Sequence, residues 1–358
     1  MDPESIRGGS RVHHGGDPDP DVLDFSANTN PSTPAGVDDV YADALEASRR
    51  YPDDDYADFR AAAAAFVDCD PNRVISTPGG LAAIRLAMEL ELEPGDEALV
   101  PYPSFGEYAR EVRLQGATPR FVRYDDCCDL RQVALENCSL AVVCTPNNPT
   151  GDVVDPDDLA TFAARCAEAG TTLLVDEAFL GFTERPSAAT LDREHVIVAR
   201  SLTKLFGLPG LRAGFAVATG ERRRALETAR RAWSLGTPAA RVGAYCLRQD
   251  EFIRATRARV ASERVRLRET LDAELGFNVH DSDAPYLLCD VGDRDVEDVL
   301  ASARERGVAV RDARTFRTLE SHVRVAVKDR DSNDRLLAAL GAGASVGAGD
   351  TGDGGGAS

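Results

Sequence analysis

Between residues 74 and 218, short apolar runs alternate with amphipathic stretches, and no other feature of the chain restricts its fold as strongly. Val74–Thr77, Ala98–Val100, Thr118–Val122, Leu140–Cys144, Thr172–Val175, Val196–Ala199 and Ala213–Ala218 read as strands. Leu81–Leu92, Phe105–Gln115, Asp155–Ala169 and Glu221–Ala232 read as the helices between them. This order predicts an α/β fold with a mostly parallel central sheet and helices on its faces. In open sheets of that kind, ligands sit at the carboxyl ends of the strands. The residues found there are polar or turn-forming: Pro78-Gly79-Gly80, Pro101–Phe105, Thr145–Gly151, Asp176-Glu177 and Ser201 to Lys204. They converge on one crevice.

The flanks divide the chain further. Residues 1–36 hold few apolar side chains, yet Val22, Leu23 and Phe25 give them something to bury, which predicts an N-terminal arm docked on the body. Val40–Ser48 is a helix candidate ended at Pro52, and Phe59–Val67 is alanine-rich helix. A large domain is expected over residues 37–238. Beyond it, Ala239–Leu275 reads as one long Arg-rich helix, followed by strands Tyr286–Val291, Val308–Arg311 and His322–Val327 and helices Asp295–Arg306 and Asp331–Leu340. These predict a smaller α+β domain over 239–341. Residues 342–358, mostly Gly, Ala, Asp and Ser, read as a disordered tail.

Charge and composition exclude several classes. No apolar run approaches the roughly 18 residues of a membrane span, and the start of the chain lacks the basic and apolar regions of a signal peptide, so a cytoplasmic protein is expected. A net charge of -19 argues against nucleic-acid binding and suits a protein kept soluble in concentrated salt, hence a halophilic one. The eight cysteines form no CxxC pair and no cluster at metal spacing, so neither a metal site nor a disulfide framework is expected. Cys127-Cys128 reads as two ordinary thiols.

Of 41 basic residues only two are lysine. A composition that has replaced nearly every lysine keeps one where arginine cannot serve, namely to lose its proton and form a Schiff base with an aldehyde. Lys204 is that candidate. Ser201 lies three residues before it and Arg212 eight after, a hydroxyl and a fixed cation able to hold one phosphate.

This S-x-x-K-x7-R spacing resembles the lysine segment of the fold-type I pyridoxal-phosphate (PLP) enzymes, the aspartate aminotransferase superfamily. Other segments match in order: Tyr51, Gly79-Gly80, and Asn148–Gly151 with Asp176. The resemblance implies PLP as cofactor, bound covalently by Lys204. It implies that Asp176 faces the pyridine nitrogen, a pair worth up to about 4 kcal/mol at an effective dielectric near 20. Asn148 is expected at the phenolic oxygen and Phe105 against the ring face. Gly80, Leu81, Ser201 and Arg212 are expected at the cofactor phosphate, joined by Tyr51 from the second subunit of a homodimer.

Within the superfamily the chain resembles the branch of histidinol-phosphate aminotransferases and threonine-phosphate decarboxylases. H-G-G near the start, D-F-S-A-N-x-N-P after it, Phe179 where the aminotransferases usually carry tyrosine, and the R-V-A-V segment lean toward the decarboxylases. Two segments depart from them: Asp17, where asparagine is usual, and Arg314–Thr318. The implied reaction is decarboxylation of L-threonine O-3-phosphate to (R)-1-aminopropan-2-ol O-phosphate for cobalamin biosynthesis. Transamination of histidinol phosphate or another amino acid is the alternative, and a PLP-binding regulator without turnover the third reading. Arg311 and Arg324 are expected to grip the substrate, with His14, Gly15, Gly16 and Asn30 at its phosphate end.

Overall fold

The computed structural model describes residues 1–124 and 133–344. Cys127, Cys128 and the tail from Ser345 onward lie outside the described residues.

The apolar runs inside the sheet are strands buried on both sides, as a parallel sheet covered by helices requires, and the edge strand Thr118–Arg123 is partly exposed. Leu140, Ala141, Val142, Leu173, Leu174, Ile197 and Ala199 are fully buried. Seven strands form the central sheet, in the order Val74–Thr77, Gly214–Val217, Val196–Ser201, Thr172–Asp176, Cys138–Cys144, Glu97–Tyr102, Thr118–Arg123. Gly214–Val217 runs antiparallel to both neighbours, and the other pairings are parallel. That one reversal matters for the site. Gly214 stands opposite both Thr77 and Ser201, so Arg212 arrives at the carboxyl edge of the sheet beside the residues that follow those two strands.

A second sheet of four antiparallel strands has the order Arg311–Asp312, His322–Ala326, Tyr286–Asp290, Asn278–Val279. Arg311 and Arg324 are cross-strand partners in it. In the N-terminal segment Leu23–Asp24 pairs in parallel with Val308–Ala309, and Phe25 is fully buried. The arm also begins with a helix, Pro3–Gly8, whose amino end is capped by the Asp2 carboxylate accepting from Ser5 N at 2.7 Å.

Several boundaries differ from the sequence reading: the expected strand Val308–Arg311 is two, Val308–Ala309 pairing with the arm and Arg311–Asp312 joining the four-stranded sheet. The expected helix Ala239–Leu275 is two helices, Thr237–Leu247 and Asp250–Ala273. Gln249 leaves helical geometry (φ -92°, ψ 65°) between them, so the first helix packs on Val37–Ala47 and Ala57–Val67 while the second reaches the four-stranded sheet. The first helix therefore lies against the large body. At the other end, Arg330–Ala344 is helical, so residues 342–344, expected in the tail, continue the last helix.

Candidate active site

The carboxyl edge of the central sheet opens into a cavity of about 310 Å³, closed on its far side by the arm and by the strand pair carrying Arg311 and Arg324. Lys204, Asp176, Gly80, Leu81, Phe105, Asn148, Ser201, Arg212, His14, Gly15, Arg311 and Arg324 all line it. Residues more than 300 positions apart in sequence meet here.

One end is built for a phosphate. The helix Gly80–Glu91 has no side-chain cap, so the amides of Gly80 and Leu81, orphaned by helix geometry, are open to an anion. Ser201 and Arg212 flank them, and Ser201 Oγ lies 2.9 Å from the Thr203 hydroxyl, a cavity residue the sequence reading passed over. Gly79 is required at the turn: its φ is +96°, and a Cβ there would stand 2.6 Å from Arg212 Nη2.

Asp176 ends the Thr172–Asp176 strand, 5% exposed. Burial pushes its carboxyl above the usual range, while a donated hydrogen bond from Tyr108 Oη (2.5 Å) and one from Ala178 N (2.9 Å) pull the other way. Tyr108 was not foreseen, although its spacing of three from Phe105 puts both on one face of the same turn. Their rings meet edge-on with centroids 5.5 Å apart.

Lys204 is lowered to about 8, first by burial and then by the charges of Arg324 and Arg212. Its amine has no hydrogen-bond partner among the described residues. Arg324 is itself lowered to about 10 by burial. Its guanidinium donates to Ser26 O at 3.0 Å and to the Asn148 carboxamide oxygen. A guanidinium only donates, so it fixes which end of Asn148 it faces and leaves the amide N–H groups free. Arg311 donates to the His14 and His13 carbonyls at 2.9 and 2.8 Å. Among the described residues neither Arg311, Arg324 nor Arg212 has a carboxylate within ion-pair distance, in a chain with 60 acidic residues.

Three expected site residues do not line the cavity. Asn30 is buried in the arm, where Nδ2 donates to Leu205 O (2.8 Å) and Thr256 Oγ1 (3.3 Å), and Oδ1 accepts from Arg259 Nη2 (2.7 Å) and Ser32 N (3.1 Å). Its capacity is spent on tying the arm to the lysine loop. Asn28 instead faces the cavity, 4% exposed with Oδ1 unpartnered. Two asparagines two apart in an extended segment share a periodicity, so sequence alone could not choose between them. The Gly16 amide is taken by Ser26 Oγ at 2.8 Å. Tyr51 is 79% exposed, stacked on Trp233 with ring centroids 4.6 Å apart, beside a separate surface hollow. Of the departing segments, Asp17 pairs with Arg304, and Arg314 pairs with Asp312 (2.8 Å) and Glu297 (2.7 Å). Only Thr315 and Phe316 of that stretch reach the cavity.

The sequence matches the family described as Aminotransferase class I and II over residues 20–340. The chain belongs to that family. Among curated relatives of this aminotransferase family, it is 31% identical over 326 residues to histidinol-phosphate aminotransferase 2 of Archaeoglobus fulgidus, covering 90% of this chain and 93% of the relative. It is 32% identical over 333 residues to the threonine-phosphate decarboxylase of Salmonella typhimurium, covering 89% and 90%. In fold it superposes with a TM-score of 0.79 on the histidinol-phosphate aminotransferase of Sinorhizobium meliloti solved with pyridoxal 5'-phosphate, at 21% identity and 90% coverage of each chain. The fold is that of the fold-type I enzymes, and the cofactor of this family member is PLP. The phosphate cup, the buried carboxylate and the unpartnered lysine amine fit that group in size and charge.

Proposed function

We propose that this enzyme decarboxylates L-threonine O-3-phosphate, releasing CO2 and leaving (R)-1-aminopropan-2-ol O-phosphate. The observation that carries the reading is the pair Arg311 and Arg324, directly opposite on neighbouring strands and without carboxylate partners. Like charges in that arrangement repel, and a substrate carrying both a carboxylate and a phosphate relieves the repulsion. Histidinol phosphate has no carboxylate. At about 310 Å³ the cavity also sits at the low end of the roughly 300–1,000 Å³ usual for ligand pockets. With the cofactor inside, little room is left, which suits threonine's side chain better than an imidazole.

In this reading Lys204 holds the cofactor, and Gly80, Leu81, Ser201 and Arg212 bind its phosphate. Asp176 stands at the ring nitrogen, Asn148 at the phenolic oxygen and Phe105 on the ring face. When bound, PLP supplies an electron sink for the pair released as a bond at the substrate's Cα breaks. Arg311 and Arg324 orient the carboxylate that leaves, while His14 and the Gly15 amide bind the phosphate end. With a value near 8, the Lys204 amine exchanges a proton readily at neutral pH and can return one to Cα. Tyr51 with Trp233 forms an exposed aromatic pair offered to a second copy of the chain, in keeping with a homodimer.

The Archaeoglobus relative favours a second reading, transamination, in which the same cavity holds an amino donor in turn. Purified protein with PLP and threonine phosphate, assayed for CO2 and for 2-oxoglutarate-dependent transfer, separates the two. CO2 without 2-oxoglutarate is expected. Stoichiometric keto acid without CO2 reverses the ranking.

A further inference from the structure

Glu107 opens the helix Glu107–Leu114 beside the cavity, and it is only 4% exposed. Its Oε1 lies 2.9 Å from His14 Nε2, and its Oε2 accepts from Arg110 Nη1 at 3.0 Å. Arg110 is shared, since it also holds the buried Glu111 at 2.9 Å, and Glu111 in turn meets Arg85 at 3.3 Å. A buried carboxylate is costly without enough partners, and for Glu107 the remaining partner is His14.

His14 is thereby held on two sides. Glu107 grips the ring, and Arg311 donates to the backbone carbonyl at 2.9 Å. The ring lies near Phe105, with centroids 5.7 Å apart, and the residue lines the cavity. A carboxylate contact requires a hydrogen on Nε2, so the tautomer and ring direction are set. Nδ1 has no hydrogen-bond partner among the described residues and is the nitrogen left for a ligand.

We propose that Glu107 is a positioning residue for the substrate's phosphate: by fixing Nε2–H it presents His14 Nδ1 to that anion. A phosphate ester has its second ionisation near pH 6, roughly, so a single proton shared between Nδ1 and a phosphate oxygen makes the bond in either direction. The inference rests on the reading that the substrate is phosphorylated.

The test uses the PLP-loaded enzyme, titrated with threonine phosphate and with unphosphorylated threonine and followed by the cofactor spectrum. Wild type, Glu107→Gln, His14→Ala and the double variant are compared. Glutamine keeps the volume, but its single oxygen is claimed by Arg110 Nη1, so its amide nitrogen faces His14 Nε2 and that nitrogen no longer has to carry the hydrogen, while a merely structural role is left intact. Glu107→Gln is expected to weaken threonine phosphate by roughly 10-fold or more and threonine by less than about 2-fold. In the His14→Ala background the same change should cost nothing further. The inference is overturned if Glu107→Gln binds threonine phosphate like wild type, weakens both ligands equally, or adds its full effect to His14→Ala. A wild-type enzyme that prefers threonine phosphate no more than threonine removes the phosphorylated-substrate reading itself, and the inference with it.

Discussion

The Tyr108 hydroxyl donates to Asp176 Oδ2 across 2.5 Å, with the tyrosine fully buried. Burial also pushes the tyrosine's own ionisation well up, so it stays a donor at any working pH. The bond is one of two that keep a buried carboxylate ionised, and an ionised carboxylate is what a cationic pyridine ring needs. Tyr108→Phe should therefore lower both cofactor affinity and turnover. Hydrogen bonds to charged groups are worth about 1.5–3 kcal/mol, which corresponds to roughly 10-fold or more in cofactor affinity. The acidic limb of the pH–rate profile should move to higher pH, because the carboxyl loses a group that lowers its pKa. A profile unchanged in position would leave Tyr108 as packing only.

Lys204, held near 8 chiefly by burial, gives a second expectation. Only the neutral amine condenses with an aldehyde, so cofactor capture by the PLP-free protein should accelerate with a midpoint near pH 8 rather than 10.5. Arg324→Gln removes a neighbouring positive charge and should raise that midpoint. The sign for stability follows from the same depression. Between about 8 and 10.5 the unfolded chain binds more protons at this position, so this group's contribution to stability rises with pH across that window. Stopped-flow absorbance and unfolding at several pH values check both parts.

The sheet and most of the cavity lining were legible because burial on both faces and the chemistry after each strand leave direct marks on sequence. Asp176, Lys204 and Arg212 each follow or precede an apolar run whose direction fixes where they land. What stayed hidden depends on side-chain direction. Asn28 and Asn30 are equivalent in sequence, and only the packing of Asn30 against Leu205, Thr256 and Arg259 decides which one faces the cavity. The break at Gln249 was hidden too, since neither glycine nor proline marks it.

Gly79→Ala should strike the phosphate cup selectively. The added methyl meets Arg212 at 2.6 Å, and the backbone at φ +96° disfavours a side chain. PLP affinity should fall by roughly 10-fold or more, as expected when one charge-assisted contact is displaced. Equilibrium titration of the PLP-free protein measures it.

Asn30→Ala takes the acceptor from Arg259 Nη2 and the donor from the Leu205 carbonyl, while Arg259 Nη1 keeps Lys328 O. A loss of about 1–3 kcal/mol is expected in urea unfolding. Residue 30 N still donates to Lys204 O at 3.0 Å, but from an arm that has lost its side-chain tie, so cofactor retention should weaken as well.

Only two lysines exist in the chain, and both are largely buried, so the amine that carries the cofactor can be read without ambiguity. Lys328 is 9% exposed, sits over the Phe25 ring at 5.6 Å and does not line the cavity. Borohydride reduction of the PLP-loaded protein, followed by peptide mass mapping, should place the pyridoxyl group on Lys204 alone. A label on Lys328, or a fully active enzyme with none on Lys204, would contradict the site described here.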